Sequence, residues 1–214
     1  MSPVPTTLPP SPNGALRVAI ALLTRRPHCF EWWLRYHLAL GVDHIFVHVE
    51  DTPELLPVLL SDEFADRVTV TSDPCGTGHE LDDNYYSLMA RQRRHVRHSL
   101  RACRVRAIDF LIHIDDDELL HFKTPFAALV RALPRNTPNI VLANIEARPT
   151  RLDAQNMFEE CTRFSSALML SYRNGKSAGR VSQGVDWNGP HRFTGRHHVV
   201  GLEDACVLHF ESCR

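Results

Sequence analysis

No stretch of this sequence approaches the roughly eighteen consecutive apolar residues of a membrane span. The N-terminus also lacks the basic start and apolar core of a secretory leader. As written, the chain reads as cytoplasmic and without a membrane span; an enzyme of the secretory lumen whose anchor lies outside this stretch reads the same way. An excess of one charge is missing too. Lys and Arg number 24 against 25 Asp and Glu, a net charge of -1, so no overall field exists to hold a nucleic acid. Any anionic ligand must be met locally. The six cysteines include no C-x-x-C pair, which argues against a zinc knuckle or dithiol redox site. Reduced thiols are the simpler reading, although Cys206 and Cys213 are close enough in sequence to pair in an oxidising compartment. Nothing in the composition speaks to oligomeric state.

What is present is enough for one core. With 214 residues, 43% of them hydrophobic, a single substantial domain is expected rather than two. Residues 1–14 hold five prolines and few apolar side chains, a composition that reads as a disordered leader, with the folded domain over 15–214. The apolar run Leu16 to Leu23 predicts a strand buried on both faces. Phe30, Trp33, Leu34, His37 and Leu38 then recur at helical spacing, ending near Gly41. By the same spacing Trp32, Trp33 and His37 are helix packing rather than a sugar platform. The alternation continues with a strand over His44 to Val49, a short helix over Glu54 to Leu60 and a strand over Val68 to Thr71. A long helix capped by Asp82 or Asp83 runs through Cys103, and a strand over Phe110 to Ile114 follows. This order implies an α/β fold with a mostly parallel central sheet and right-handed crossovers. In the last third, short strands are expected over Leu168 to Tyr172, Arg180 to Ser182 and Cys206 to Phe210.

The strand at Phe110 runs straight into Asp115, Asp116, Asp117 and Glu118. Four consecutive carboxylates repel one another unless solvated or neutralised by a cation. On an extended chain residues two apart point the same way, so Asp115 and Asp117 are expected to converge while Asp116 and Glu118 face elsewhere. Two hard oxygen ligands suit Mn2+ or Mg2+, whose other positions take water and phosphate. The carboxyl edge of an open α/β sheet is also where ligands bind.

The segment Ile112-His113-Ile114-Asp115-Asp116-Asp117-Glu118-Leu119-Leu120 resembles the Asp-x-Asp-Glu (DXD) segment of glycosyltransferase family ninety-two and related GT-A glycosyltransferases. Four further segments match in order: Glu31-Trp32-Trp33-Leu34-Arg35-Tyr36-His37 followed by Gly41-Val42, then Arg91-Gln92, Gly175-Lys176-Ser177 and Leu208-His209-Phe210. The resemblance covers roughly residues 16–210, and its specificity lies in the ordered set. It implies a single Rossmann-like GT-A domain, a nucleotide diphosphate sugar as donor, and a carbohydrate or glycoconjugate acceptor. Thr24 and Arg25 would then lie beside the nucleotide, Asp51 would accept from ribose or base, and Asp115 and Asp117 would hold the metal. His209 would be a third metal ligand; without the resemblance it reads as a buried, satisfied histidine. Gln92 falls on the buried stripe of the long helix, where its amide either bonds the acidic loop or a backbone group. Lys176 reads either as a point charge on the departing diphosphate or as a solvated lysine in a turn. By the same resemblance displacement is direct, with inversion, and needs a general base; Asp186, Glu203 and Asp204 lie in the right third of the chain, and Asp186 ranks first for its glycine-rich surroundings. Two other readings share these residues: a metal-dependent phosphohydrolase, and a noncatalytic carbohydrate- or protein-binding module on the same fold.

Overall fold

A computed structural model describes residues 15–72, 84–149, 153–165 and 172–213. The expected leader at 1–14, the cap candidates Asp82 and Asp83, and most of the strand expected at 168–172 lie outside the described residues.

The N-terminal half follows the alternating pattern. Strand β1 (Val18–Thr24) is buried along its whole length and lies between β2 (His44–Val49) and β4 (Phe110–His113), parallel to both. Strand β3 (Val68–Ser72) adds to the outer edge of β2, again parallel. Between β1 and β2, helix α1 (Phe30–Ala39) buries Phe30, Trp33, Leu34 and His37. The short helix expected next is a 3-10 turn over Pro53–Leu55 running into α2 (Leu56–Leu59). Helix α3 (Tyr85–Val105) is capped by Asn84, whose side chain accepts from the Tyr86 N–H at 2.8 Å. Its Val96, Leu100 and Cys103 pack on Ala19, Ala21, Phe46 and Leu111. The two alanines on that face of β1 let the helix backbone approach the sheet closely.

Beyond β4 the chain turns back into β5 (Glu118–Phe122), which the sequence pattern did not separate from the acidic run. Helix α4 (Phe126–Arg131) leads to the long strand β6 (Asn139–Arg148); after it come α5 (Met157–Glu160) and β7 (Arg163–Ser165). Strands β8 (Lys176–Arg180), β9 (His197–Val199) and β10 (Ala205–His209) complete one mixed sheet of order β3-β2-β1-β4-β8-β6-β10-β5, with β7 and β9 also on β6. Its first four strands are all parallel, as are β6 and β10, while β8 runs antiparallel between β4 and β6. This is a mixed α/β, Rossmann-like sheet. Arg180, expected in a strand reaching Ser182, ends β8 and gives way to a 3-10 turn over Val181–Gln183.

Strand β5 ends the sheet, and α1 satisfies its open edge. The Trp33 indole donates to the Glu118 carbonyl at 2.7 Å, the Tyr36 hydroxyl donates to the Leu120 carbonyl at 2.9 Å, and His37 Nε2 accepts from the Leu120 N–H at 3.2 Å. An unpaired strand edge is a template for aggregation, and these three side chains close it. Burial holds His37 neutral, with its pKa lowered to about 3. The packing role expected for Trp33 and His37 therefore includes a second task, fixing the strand that carries Glu118. At the other end of the chain Cys161, Cys206 and Cys213 are all free thiols, and Cys161 is the neighbour that, after burial, raises the Cys213 pKa to about 12. No helix among the described residues is long and apolar enough to cross a membrane.

Candidate functional site

The carboxyl ends of β1, β2 and β4 bring Thr24, Glu50 and Asp115 to one edge of the sheet. Asp115 to Asp117 is a turn, closed by the Glu118 N–H donating to the Asp115 carbonyl at 3.2 Å, and not an extension of β4. The alternation argument for the acidic run therefore fails. Asp116 points inward and accepts from the Thr24 hydroxyl at 2.5 Å. The ammonium beside Asp115 is shared with Glu118. Lys176 Nζ lies 2.5 Å from Asp115 Oδ2 and 3.2 Å from Glu118 Oε2. Glu118, fully buried, also accepts from the Asp115 N–H at 2.8 Å and from the Tyr172 hydroxyl.

Lys176 is neither solvated nor in a turn. It opens β8 opposite Leu142 of β6, with no exposed surface. Gly175 makes that placement possible: it has φ +64°, and a Cβ there would stand 2.1 Å from the Leu142 carbonyl oxygen. Asn144 completes the joint by accepting from the Gly175 N–H at 3.1 Å and donating to the Tyr172 carbonyl at 2.9 Å. Burial opposes the ammonium charge, but Asp115 and Glu118 outweigh it and raise the Lys176 pKa above the ordinary lysine value. Burial likewise opposes the Asp115 carboxylate, and the neighbouring Lys176 overturns that, lowering its pKa to about 2. For Glu118 burial wins over Lys176 and the pKa rises.

Sheet register sets a second row of polar groups. His209 on β10 lies opposite Glu118 of β5 and Glu146 of β6. Its Nδ1 is 3.0 Å from both Glu146 oxygens, and its Nε2 is 3.7 Å from Asp117 Oδ2. Burial pulls the His209 pKa down, but Glu118, Asp117 and Glu146 raise it overall. Nδ1–H is donated to Glu146, which leaves Nε2 facing Asp117. A carboxylate that orients a ligating histidine through its far nitrogen is a recurrent feature of metal sites. Among the described residues no group of three or more His, Cys, Asp or Glu is gathered to hold a metal. Asp117 and His209 are the residues here that could hold a magnesium or manganese ion, whose other positions water and phosphate would have to fill.

The remaining expected residues are dispersed around this centre. Gln92 donates to Asp115 Oδ1 at 3.3 Å, the acidic-loop contact anticipated for it, and its neighbour Arg91 pairs with buried Glu50 at 2.6 Å. The Arg91-Gln92 pair thus ties α3 to the ends of both β2 and β4. Gln92 Oε1 and His113 Nε2 are buried without a protein partner among the described residues. His113 donates from Nδ1 to the Ala21 carbonyl, 2.9 Å away, and burial followed by Lys176 lowers its pKa to about 4. Arg25 is exposed, and Asp51 pairs at the surface with Arg26 at 2.6 Å, while the buried acid at the end of β2 is Glu50. Asp186 is held in the guanidinium fork of Arg97, with Nε to Oδ1 at 2.9 Å, and Arg97 keeps its pKa low. Its neighbour Trp187 lies on the His113 ring, 5.1 Å between centroids.

Sequence reasoning missed Glu118 as a partner of Lys176, and missed Glu146, Asn144 and Tyr172 altogether. A signal existed for two of them. Asn144 and Glu146 interrupt the apolar run Ile140 to Ala147, and a carboxylate inside a buried strand needs a partner.

No protein-family model matches the chain. It is similar to a glycosyltransferase-like protein of Arabidopsis thaliana, 23% identical over 83% of this chain and 49% of that protein. A second glycosyltransferase-like protein of Arabidopsis thaliana is 26% identical over 58% of this chain and 30% of its own length. The chain thus spans half or less of the curated relatives it matches. Among solved structures it is similar to S. aureus TarS in complex with UDP-GlcNAc, with TM-score 0.46 and 10% identity over 92% of this chain and 59% of that one.

Proposed function

We propose that this chain is the nucleotide-sugar-binding, catalytic part of a glycosyltransferase that passes a sugar to a hydroxyl of a carbohydrate or glycoconjugate. One observation carries the reading. At the ligand-binding edge of the sheet, the clamped Asp115–Lys176–Glu118 group stands beside the row Glu146–His209–Asp117. The glycosyltransferase-like names of the two Arabidopsis proteins agree with it.

In this reading Asp117 and His209 hold a manganese or magnesium ion, and Glu146 fixes the His209 tautomer. Bound there, the ion would supply positive charge to the donor's diphosphate. Asp115, already engaged by Lys176 and Gln92, is left to the ribose side of the donor together with Thr24 and Arg25; Asp51 marks the outer rim. Lys176, having no exposed surface, is a positioning residue: its charge keeps Asp115 ionised and locks β8 to the acidic turn. Displacement at the anomeric carbon in one step inverts it, and the acceptor's proton leaves to a carboxylate. Asp186 is our candidate for that base, since its side chain is 41% exposed beside Trp187 at the site's margin. Arg97 keeps it ionised and also weakens it as a base.

The test is a panel of nucleotide sugars incubated with manganese or magnesium, with and without acceptor glycans, reading nucleoside diphosphate release by chromatography. Acceptor-stimulated release that Asp117→Asn abolishes at an unchanged melting temperature is expected. Hydrolysis of simple phosphoesters without sugar transfer would favour the phosphohydrolase instead, and nucleotide binding without turnover would leave a binding module.

A further inference from the structure

Helix α3 carries no Asp or Glu in its 21 residues. Its inner face buries Gln92, His95, Val96, Ser99, Leu100 and Cys103. Its outer face exposes Arg93, Arg94, His98, Arg101 and Arg104. At 3.6 residues per turn and 1.5 Å per residue, these five fall within an arc of about 140° along roughly 16 Å of helix. Among the described residues none of these four arginines is ion-paired; Arg97, on the same arc, is the one held by a carboxylate, that of Asp186. Tyr86 at one end and Val105 at the other lie on this arc too and are 81% and 56% exposed. Because the whole chain has a net charge of -1, this stripe is a local concentration of charge rather than part of a general excess.

We infer that the outer face of α3 docks the protein on an anionic lipid surface. A convex stripe of guanidinium groups matches a plane of phosphates and carboxylates. The amphipathic ring of Tyr86 and the aliphatic Val105 have an apolar layer to enter at the headgroup boundary. Neither a nucleic-acid duplex nor an acidic protein surface offers Tyr86 and Val105 such a layer. The inner side of the same helix holds Glu50 through Arg91 and Asp115 through Gln92, so docking would fix the orientation of the candidate site relative to the surface. The inference stands on the charge and exposure of the helix, independently of the proposed activity.

Co-sedimentation of the full chain with vesicles tests it. Vesicles of phosphatidylcholine alone are compared with vesicles carrying about 30 mol % phosphatidylserine, at low and at physiological salt. Binding to the anionic vesicles alone is expected, weakening as salt rises. Each basic side chain near such a surface contributes on the order of 1 kcal/mol, so each single Arg→Gln change should weaken binding about fivefold. Arg93→Gln, Arg94→Gln, Arg101→Gln and Arg104→Gln together should weaken it by several hundredfold. Melting curves should match wild type, because the altered side chains are exposed. Equal binding to neutral and anionic vesicles, a quadruple variant that binds like wild type, or capture of duplex DNA or polyglutamate with no vesicle binding would each overturn the inference.

Discussion

Replacing Lys176 with Met removes a buried cation while keeping the length of the side chain in β8. The wild-type ammonium sits 2.5 Å from Asp115 and 3.2 Å from Glu118. Asp115 is 35% exposed and would recover part of its hydration, whereas Glu118 has no exposed surface. The loss therefore falls mainly on Glu118. Breaking a buried pair by removing one partner typically costs about 3–5 kcal/mol. At a sensitivity of roughly 2–4 °C per kcal/mol for a chain of this size, Lys176→Met should melt about 6–20 °C below wild type at neutral pH. The sign of the pH dependence follows from Glu118. Its folded pKa is already raised by burial, and removing Lys176 raises it further. A carboxyl whose folded pKa exceeds the unfolded value, about 4.3, destabilises the fold above the folded pKa and ceases to do so as pH falls through it. The gap between variant and wild type should accordingly narrow between neutral pH and about pH 5. Adding Glu118→Gln to Lys176→Met should restore more than half of the loss at neutral pH. Melting curves by circular dichroism across this range are sufficient. A variant melting within about 2 °C of wild type, or a deficit independent of pH and unrelieved by Glu118→Gln, refutes the reasoning.

Glu146→Gln keeps the shape beside His209 but no longer pins its Nδ1–H with a charge, and it should lower manganese affinity by about 10–100-fold by isothermal titration; unchanged affinity removes Glu146 from the site. Gly175→Ala forces a Cβ to 2.1 Å from the Leu142 carbonyl at positive φ, so the variant should be recovered poorly or melt far below wild type, and a normal melt contradicts the placement of Lys176. His37, His44 and His95 have pKa values lowered to about 3, burial being the largest cause for each. Their stabilisation is fully present above the unfolded pKa near 6.5 and is lost as pH falls towards 3, by up to about 1.4 kcal/mol per pH unit for each ring. A denaturation midpoint that stays flat from about pH 7 to 5 would falsify their burial as neutral rings. Oxidised glutathione should join Cys161 to Cys213 and leave Cys206 free; because burial and Cys161 push the Cys213 thiol up to about 12, the reaction should quicken in alkali, and peptide mapping that finds a Cys206–Cys213 bridge opposes this.

The sequence by itself determined the elements whose information is local. An apolar run marks β1, β2 and β4, and a helical period with a buried stripe marks α1 and α3; each is read within one window of chain. The same locality exposed the acidic run and its position at a strand's end. Partnership was not legible, because it depends on register between strands far apart in sequence. Asp115 and Asp117 looked paired by a two-residue period, but the chain turns at Asp116, and the period ends where the extended backbone ends. Asn174-Gly175-Lys176 has the composition of an exposed turn. Only the antiparallel register of β8 between β4 and β6 shows Lys176 to be buried and directed at residues about sixty positions earlier. Glu146 and His209 are likewise 63 residues apart and meet because β6 and β10 run in parallel with that register. A carboxylate's neighbours set its charge and its pKa, and the tertiary structure alone decides which neighbours those are.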